Sequence, residues 1–132
     1  MGIKRDFLDD LFSEFIRKRD KGICQRCLTQ KYDTTKENGS IFPAWQQLDC
    51  AHMHTRRYHS VKWDEENSCA LFGGCHLYLD SHPQEKIDFF KQRLGEEGFD
   101  LLNGRKRMSY PKPDCKLIEI YLREKLREIE NV

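Results

Sequence analysis

The chain has 132 residues, room for one domain with a modest core and not for a second independent one. Its 23 Lys and Arg balance 22 Asp and Glu to a formal charge of +1, which argues neither for nor against a polyanionic partner because the charges are segregated. No apolar run is long enough to span a membrane, and the charged start MGIKRDFLDD lacks a signal-peptide core, so a cytoplasmic protein is expected; in that reducing setting six cysteines suggest a metal site before disulfides.

In chain order, residues 6 to 20 read as an amphipathic helix, with Phe7, Leu8, Leu11, Phe12, Phe15 and Ile16 at helical spacing, Asp6 as cap and Gly22 as terminator. Cys24-Gln25-Arg26-Cys27 is a knuckle, and residues 30 to 46, with Asn38-Gly39 and Pro43, form a loop or loose hairpin. Leu48 to Met53 is a short strand, Arg56 to Asp64 a loop, and Asn67 to Gly74 leads to a second knuckle at Cys75. A helix is expected from His76 and another from Pro83, with Ile87, Phe90 and Leu94 inward. Gly95 and Gly98 interrupt that pattern before a short Phe99 to Leu102 segment stopped by Gly104. After a linker containing Pro111 and Pro113, Asp114 caps a final helix over residues 114 to 130, with Leu117, Ile118, Tyr121, Leu122, Lys125 and Ile129 on one face and Glu119–Arg123 as an ion pair. Helices flanking a short-stranded centre make the fold class α+β, in a single domain.

Chemistry concentrates between Cys24 and His82. His52 follows the strand, Asn67 lies fifteen positions on, and His76 comes nine later, directly after Cys75. This layout resembles the HNH (ββα-metal) endonucleases. The longer string CAHMHTRRYHSVKWDEEN…GGCHLYLDSHP resembles the phage NinG-like recombination proteins, in which C-[SA]-H…RR…[VI]-[RK]-[WY]-[DE]…N…CH recurs. The resemblance covers about residues 22 to 103 and not the outer helices.

The resemblance implies a β-hairpin and helix clasping one divalent cation, Mg²⁺ or Mn²⁺, and entering the minor groove of duplex or branched DNA. His52 would be the general base, since a neutral imidazole accepts a water proton near physiological pH. Asn67 would hold the hairpin and His76 would bind the cation. The ligand often found just before the base is replaced here by Ala51. Asp80, four residues after His76, shares its helix face and is the expected second ligand, with Asp49 and His54 in reserve. By strand alternation His54 falls on the face of His52, as a DNA or ligand contact, and Asp49 does not. Arg56 and Arg57 could grip phosphates beside the scissile bond. Taken singly, these basic residues and those at 17–19 and 105–107 read equally well as solvated surface, as do His59 and His82.

The resemblance also implies a structural Zn²⁺ between two knuckles. The second knuckle departs from C-x2-C-H: Phe72 stands where a cysteine is expected. Cys69 is the natural substitute, giving Cys24, Cys27, Cys69 and Cys75, with Cys50 as second choice; a metal-free knuckle packed around Phe72 remains open. Cys115 reads as an ordinary buried cysteine. The expected function is phosphodiester hydrolysis leaving 5′-phosphate and 3′-hydroxyl ends in phage recombination or DNA processing, with a homodimer for paired cuts. A non-catalytic zinc-ribbon module that binds nucleic acid or protein is the alternative.

Overall fold

The computed structural model describes residues 6–108 and 112–130; Pro111, part of the expected linker, lies outside them. Helix α1 spans Phe7–Arg19. Asp6 accepts from the Asp9 amide at 2.9 Å while Asp9 accepts from the Asp6 amide at 3.0 Å, a reciprocal cap that satisfies two otherwise orphaned N–H groups. Acidic residues in its first turn and Arg17, Lys18 and Arg19 in its last complement the helix dipole. The chain leaves the helix at Asp20 and turns through Gly22, whose φ of +74° suits glycine.

The polar stretch beyond the first knuckle forms a small antiparallel hairpin, β1 (Thr34–Thr35) and β2 (Ile41–Phe42). Strands β3 (Asp49–His52) and β4 (Ser68–Leu71) then pair antiparallel, Ala51 opposite Cys69 and His52 opposite Ser68. Helix α2 (Gly73–Ser81) follows at once, so the order here is strand, strand, helix. The helix begins three residues before the expected His76 because the two glycines enter it rather than forming slack. As a result Cys75 and His76 both sit in its first turn.

Helix α3 runs Pro83–Lys106 with Pro83 at its start. Gly95 (φ +78°, ψ 162°) breaks its geometry as expected, but Gly98 is helical and Gly104 does not stop the chain. Helix α4 (Cys115–Glu130) is capped by Asp114 through the Leu117 amide at 3.1 Å and carries the expected Arg123–Glu119 pair at 2.9 Å. Its inward face is Ile118, Leu122, Leu126 and Ile129; Leu117 and Tyr121 are exposed, and so is Cys115, against expectation. No described helix is long and apolar enough to cross a membrane.

Two apolar clusters hold the molecule. Leu11, Phe12, Phe15 and Ile16 of α1 meet Leu122 and Leu126 of α4. Leu48, Ala51, Cys69, Ala70, Leu71, Leu79, Phe90 and Phe99 bury the β3–β4 pair against α2 and α3. Every β4 residue is buried, so the strand that feeds α2 has little freedom to shift.

Asn67 locks the loop to the hairpin. Fully buried, it accepts from the His54 amide and donates to the His54 carbonyl, both at 2.9 Å, while its own carbonyl takes the Met53 amide at 2.8 Å. Asn67→Ala strands two buried backbone groups, and we expect a loss of about 2–4 kcal/mol in urea unfolding.

Candidate functional site

Strand β3, the following loop and α2 converge on an open cleft of about 500 Å³ lined by Cys50, His52, Thr55, Arg56, His76, Asp80 and Lys86. Cys50 and His52, two apart, share one face of β3. The His76 ring lies between two carboxylates. Its Nδ1 is 3.0 Å from Asp49 Oδ2, and its Nε2 is 3.3 Å from Asp80 Oδ2. Each nitrogen of the ring thus faces a carboxylate oxygen. Adjacent ligands of an octahedral cation with bonds of about 2.1 Å lie about 3 Å apart, close to the 3.3 Å between His76 Nε2 and Asp80 Oδ2. Asp49, expected as a reserve ligand, instead orients the ring from its other side.

Lys86 was not singled out by the sequence. Its Nζ sits 2.9 Å from Asp80 Oδ1, leaving Oδ2 to face His76. Arg56 lines the cleft but also bridges to Asp9 Oδ2 at 3.0 Å, beside the Trp63 indole N–H that reaches Asp9 Oδ1 at 3.0 Å. Burial acts to raise the Asp9 carboxyl pKa, but the Asp6 amide, Trp63 and Arg56 outweigh it and hold the pKa below its ordinary value. Arg57, one residue on, lines a different cavity.

His54 is not a surface contact. It is buried, with Nε2 donating to Asn103 Oδ1 at 2.8 Å under α3. Strand β3 ends at His52, so the two-residue alternation does not carry to His54. Burial, then the charges of Lys106 and Lys86, lowers its pKa from 6.5. The unfolded chain therefore takes up the proton first, so this contribution to stability is full above pH 6.5 and is lost as pH falls from there toward the lower folded value. In urea unfolding at about pH 7.5 and about pH 5.5, we expect the wild type to lose more stability on acidification than His54→Gln.

On the other side of the α2 start, Cys24, Cys27 and Cys75 bring their sulfurs within 4.8 Å of one another, the one such His, Cys, Asp or Glu group among the described residues. Tetrahedral sulfurs on zinc at about 2.3 Å lie about 3.8 Å apart, so the cluster could hold a metal such as zinc. The knuckle is tightly turned: the Leu28 amide reaches the Cys24 carbonyl at 2.8 Å with Leu28 at φ +63°. The Gln25 amide docks it on the Ala70 carbonyl of β4 at 3.0 Å. Thr29, through its hydroxyl and backbone, lowers the Cys27 thiol to about 7, and Arg26 Nη1 lies 3.5 Å from Cys75 Sγ.

Cys69, expected as the fourth thiolate, is outside this group. It is buried in the core, where desolvation pushes its thiol up to about 12, the property of a packed neutral side chain. Cys50 is not in the group either, and lies at the cleft. His82 stacks on Tyr78 at 4.0 Å and reaches the Tyr78 carbonyl at 2.7 Å, a helix-end role.

No family model matches the chain, and neither does any curated protein or solved structure.

Proposed function

We propose that the protein is a metal-dependent DNA endonuclease of HNH type, with β3, β4 and α2 as its ββα-metal core. The observation that carries this reading is the shared cleft: His52 from the hairpin opposite His76 and Asp80 from the helix. His52 takes a proton from the attacking water. Asn67 fixes the backbone just beyond His52, and so limits where that ring can lie. His76 and Asp80 would hold the divalent cation, which would supply charge neutralisation at the scissile phosphate and the departing 3′ oxygen. Asp49 keeps the His76 Nε2 lone pair aimed inward, and Lys86 holds the Asp80 carboxylate in place. Arg56, its charge paired with Asp9, lines the cleft.

The three-thiolate cluster supports the same reading. Cys75 and His76 are consecutive, so a zinc ion at the knuckle would clamp the helix turn that presents the cation ligands. A binding module has a use for the cysteines but none for a histidine pair in a cleft. The phage recombination or DNA-processing role rests on the sequence resemblance alone. The test is nicking of supercoiled plasmid and cutting of a branched oligonucleotide at low salt with Mg²⁺, Mn²⁺ or EDTA. Cutting with Mg²⁺ or Mn²⁺ and none in EDTA is the expected result. A protein inert with both metals that still shifts DNA on a gel would leave the binding-module reading.

A further inference from the structure

A second cavity of about 500 Å³ is lined by Arg57, Tyr58, His59, Ser60, Lys106, Met108, Lys112 and Pro113. Among the described residues three cations and no carboxylate line it, in a chain whose formal charge is only +1. Two basic runs of the sequence are divided in the same way. In the first, Arg56 is neutralised by Asp9 at 3.0 Å, whereas Arg57 turns to the cavity. In the second, Arg105 is held by Asp64 at 2.6 Å and Glu66 at 2.9 Å, whereas Lys106 turns to the cavity. Among the described residues Arg57, Lys106 and Lys112 form no ion pair.

The site is also braced. Ser60 Oγ donates to the Lys106 carbonyl at 3.2 Å, tying the loop to the end of α3. The Lys106 ammonium lies 4.4 Å from the centre of the Tyr58 ring, and Tyr58 meets the buried His54 edge-on at 6.0 Å. Holding like charges together without counter-ions costs free energy in the isolated protein, and that cost is relieved when an anion binds.

We propose that this cavity binds a backbone phosphate of the nucleic-acid strand whose neighbouring phosphodiester lies in the His52 cleft, an inference that rests on the nuclease reading. The loop supplies the connection: Thr55 and Arg56 line the cleft, and the next residue, Arg57, lines the cavity. A strand that follows this loop out of the cleft is carried toward the cavity. Arg57 offers a planar fork to two phosphate oxygens, and Lys106 offers a point charge pre-aligned by Tyr58. This contact positions the strand and reads no base.

The test is duplex binding by fluorescence anisotropy in EDTA, from about 50 mM to about 200 mM salt, for wild type, Arg57→Gln/Lys106→Gln and the control Lys36→Gln on the β1–β2 hairpin, outside both cavity linings. The double variant is expected to weaken DNA binding at low salt and to flatten the slope of log affinity against log salt by about one to two, with the control unchanged. With Mg²⁺ present it should raise KM while leaving kcat within a few-fold of wild type. An unchanged slope and affinity in a folded double variant overturns the inference, and leaves the nuclease reading intact because that is judged by metal-dependent cutting and by His52. The inference also falls if the variant loses binding of inorganic phosphate and keeps DNA binding. A flattened slope in a protein that never cuts supports the phosphate cavity while the nuclease reading fails.

Discussion

His52→Ala is expected to lower the rate of metal-dependent DNA cutting by about 10²- to 10⁴-fold, the range for loss of a positioned general base. That corresponds to about 3–5 kcal/mol of transition-state stabilisation. The variant should fold normally: the His52 side chain is only half-buried, opposes the small Ser68 in the sheet register, and leaves the Asn67 bonds to His54 untouched. It should also bind DNA and the cation as wild type does, because the proposed ligands are on α2. His76→Ala is expected to fail differently. It removes a proposed ligand and the partner of Asp49, so activity should return in part at high Mn²⁺, whereas no metal concentration should rescue His52→Ala. The measurement is nicking rate against metal concentration for both variants, beside circular dichroism. If His52→Ala cuts within about three-fold of wild type, the base is another group and the role of the cleft must be reassigned.

The elements that follow local rules were legible in the sequence. Helices α1 and α4 show apolar residues at helical spacing with an aspartate at each start, and both appear with those caps. His76 and Asp80 meet because an i, i+4 pair shares a helix face regardless of what surrounds it. Cys24 and Cys27 meet because two intervening residues permit only a tight turn. What was hidden depends on tertiary placement. Cys69 looked available because it precedes Cys75 by six residues, but the knuckle docks on β4 through the Ala70 carbonyl, and Cys69 goes into the core. A strand period of two makes such an assignment flip with a single residue. Lys86 lies six residues beyond Asp80, across the helix break at His82–Pro83, and no spacing rule connects them. Asp49 faces away from His52 by alternation, yet it reaches His76 at 3.0 Å, a contact set by where α2 packs and not by strand period.

Cys75→Ser carries the other large expected effect, because it acts on both halves of the proposed machine at once. Wild type is expected to hold about one zinc per chain, and the variant to lose it, since two remaining thiolates make a poor tetrahedral site. Most members of the two apolar clusters are not knuckle cysteines, so the chain should not unfold outright as a zinc finger does. A loss of about 3–5 kcal/mol, or roughly 10–20 °C in Tm, is expected. DNA cutting should fall as well, although the variant touches no group in the cleft, because the turn that presents His76 is no longer tied to the knuckle. Cys69→Ala is the decisive control. Removing one buried sulfur from a packed site should cost about 1–2 kcal/mol while leaving zinc content and cutting rate unchanged. Zinc content measured by elemental analysis separates the two positions. If Cys69→Ala loses zinc as fully as Cys75→Ser, the metal draws Cys69 out of the core and the site has four thiolates; if only Cys75→Ser does, the fourth position belongs to a ligand other than Cys69.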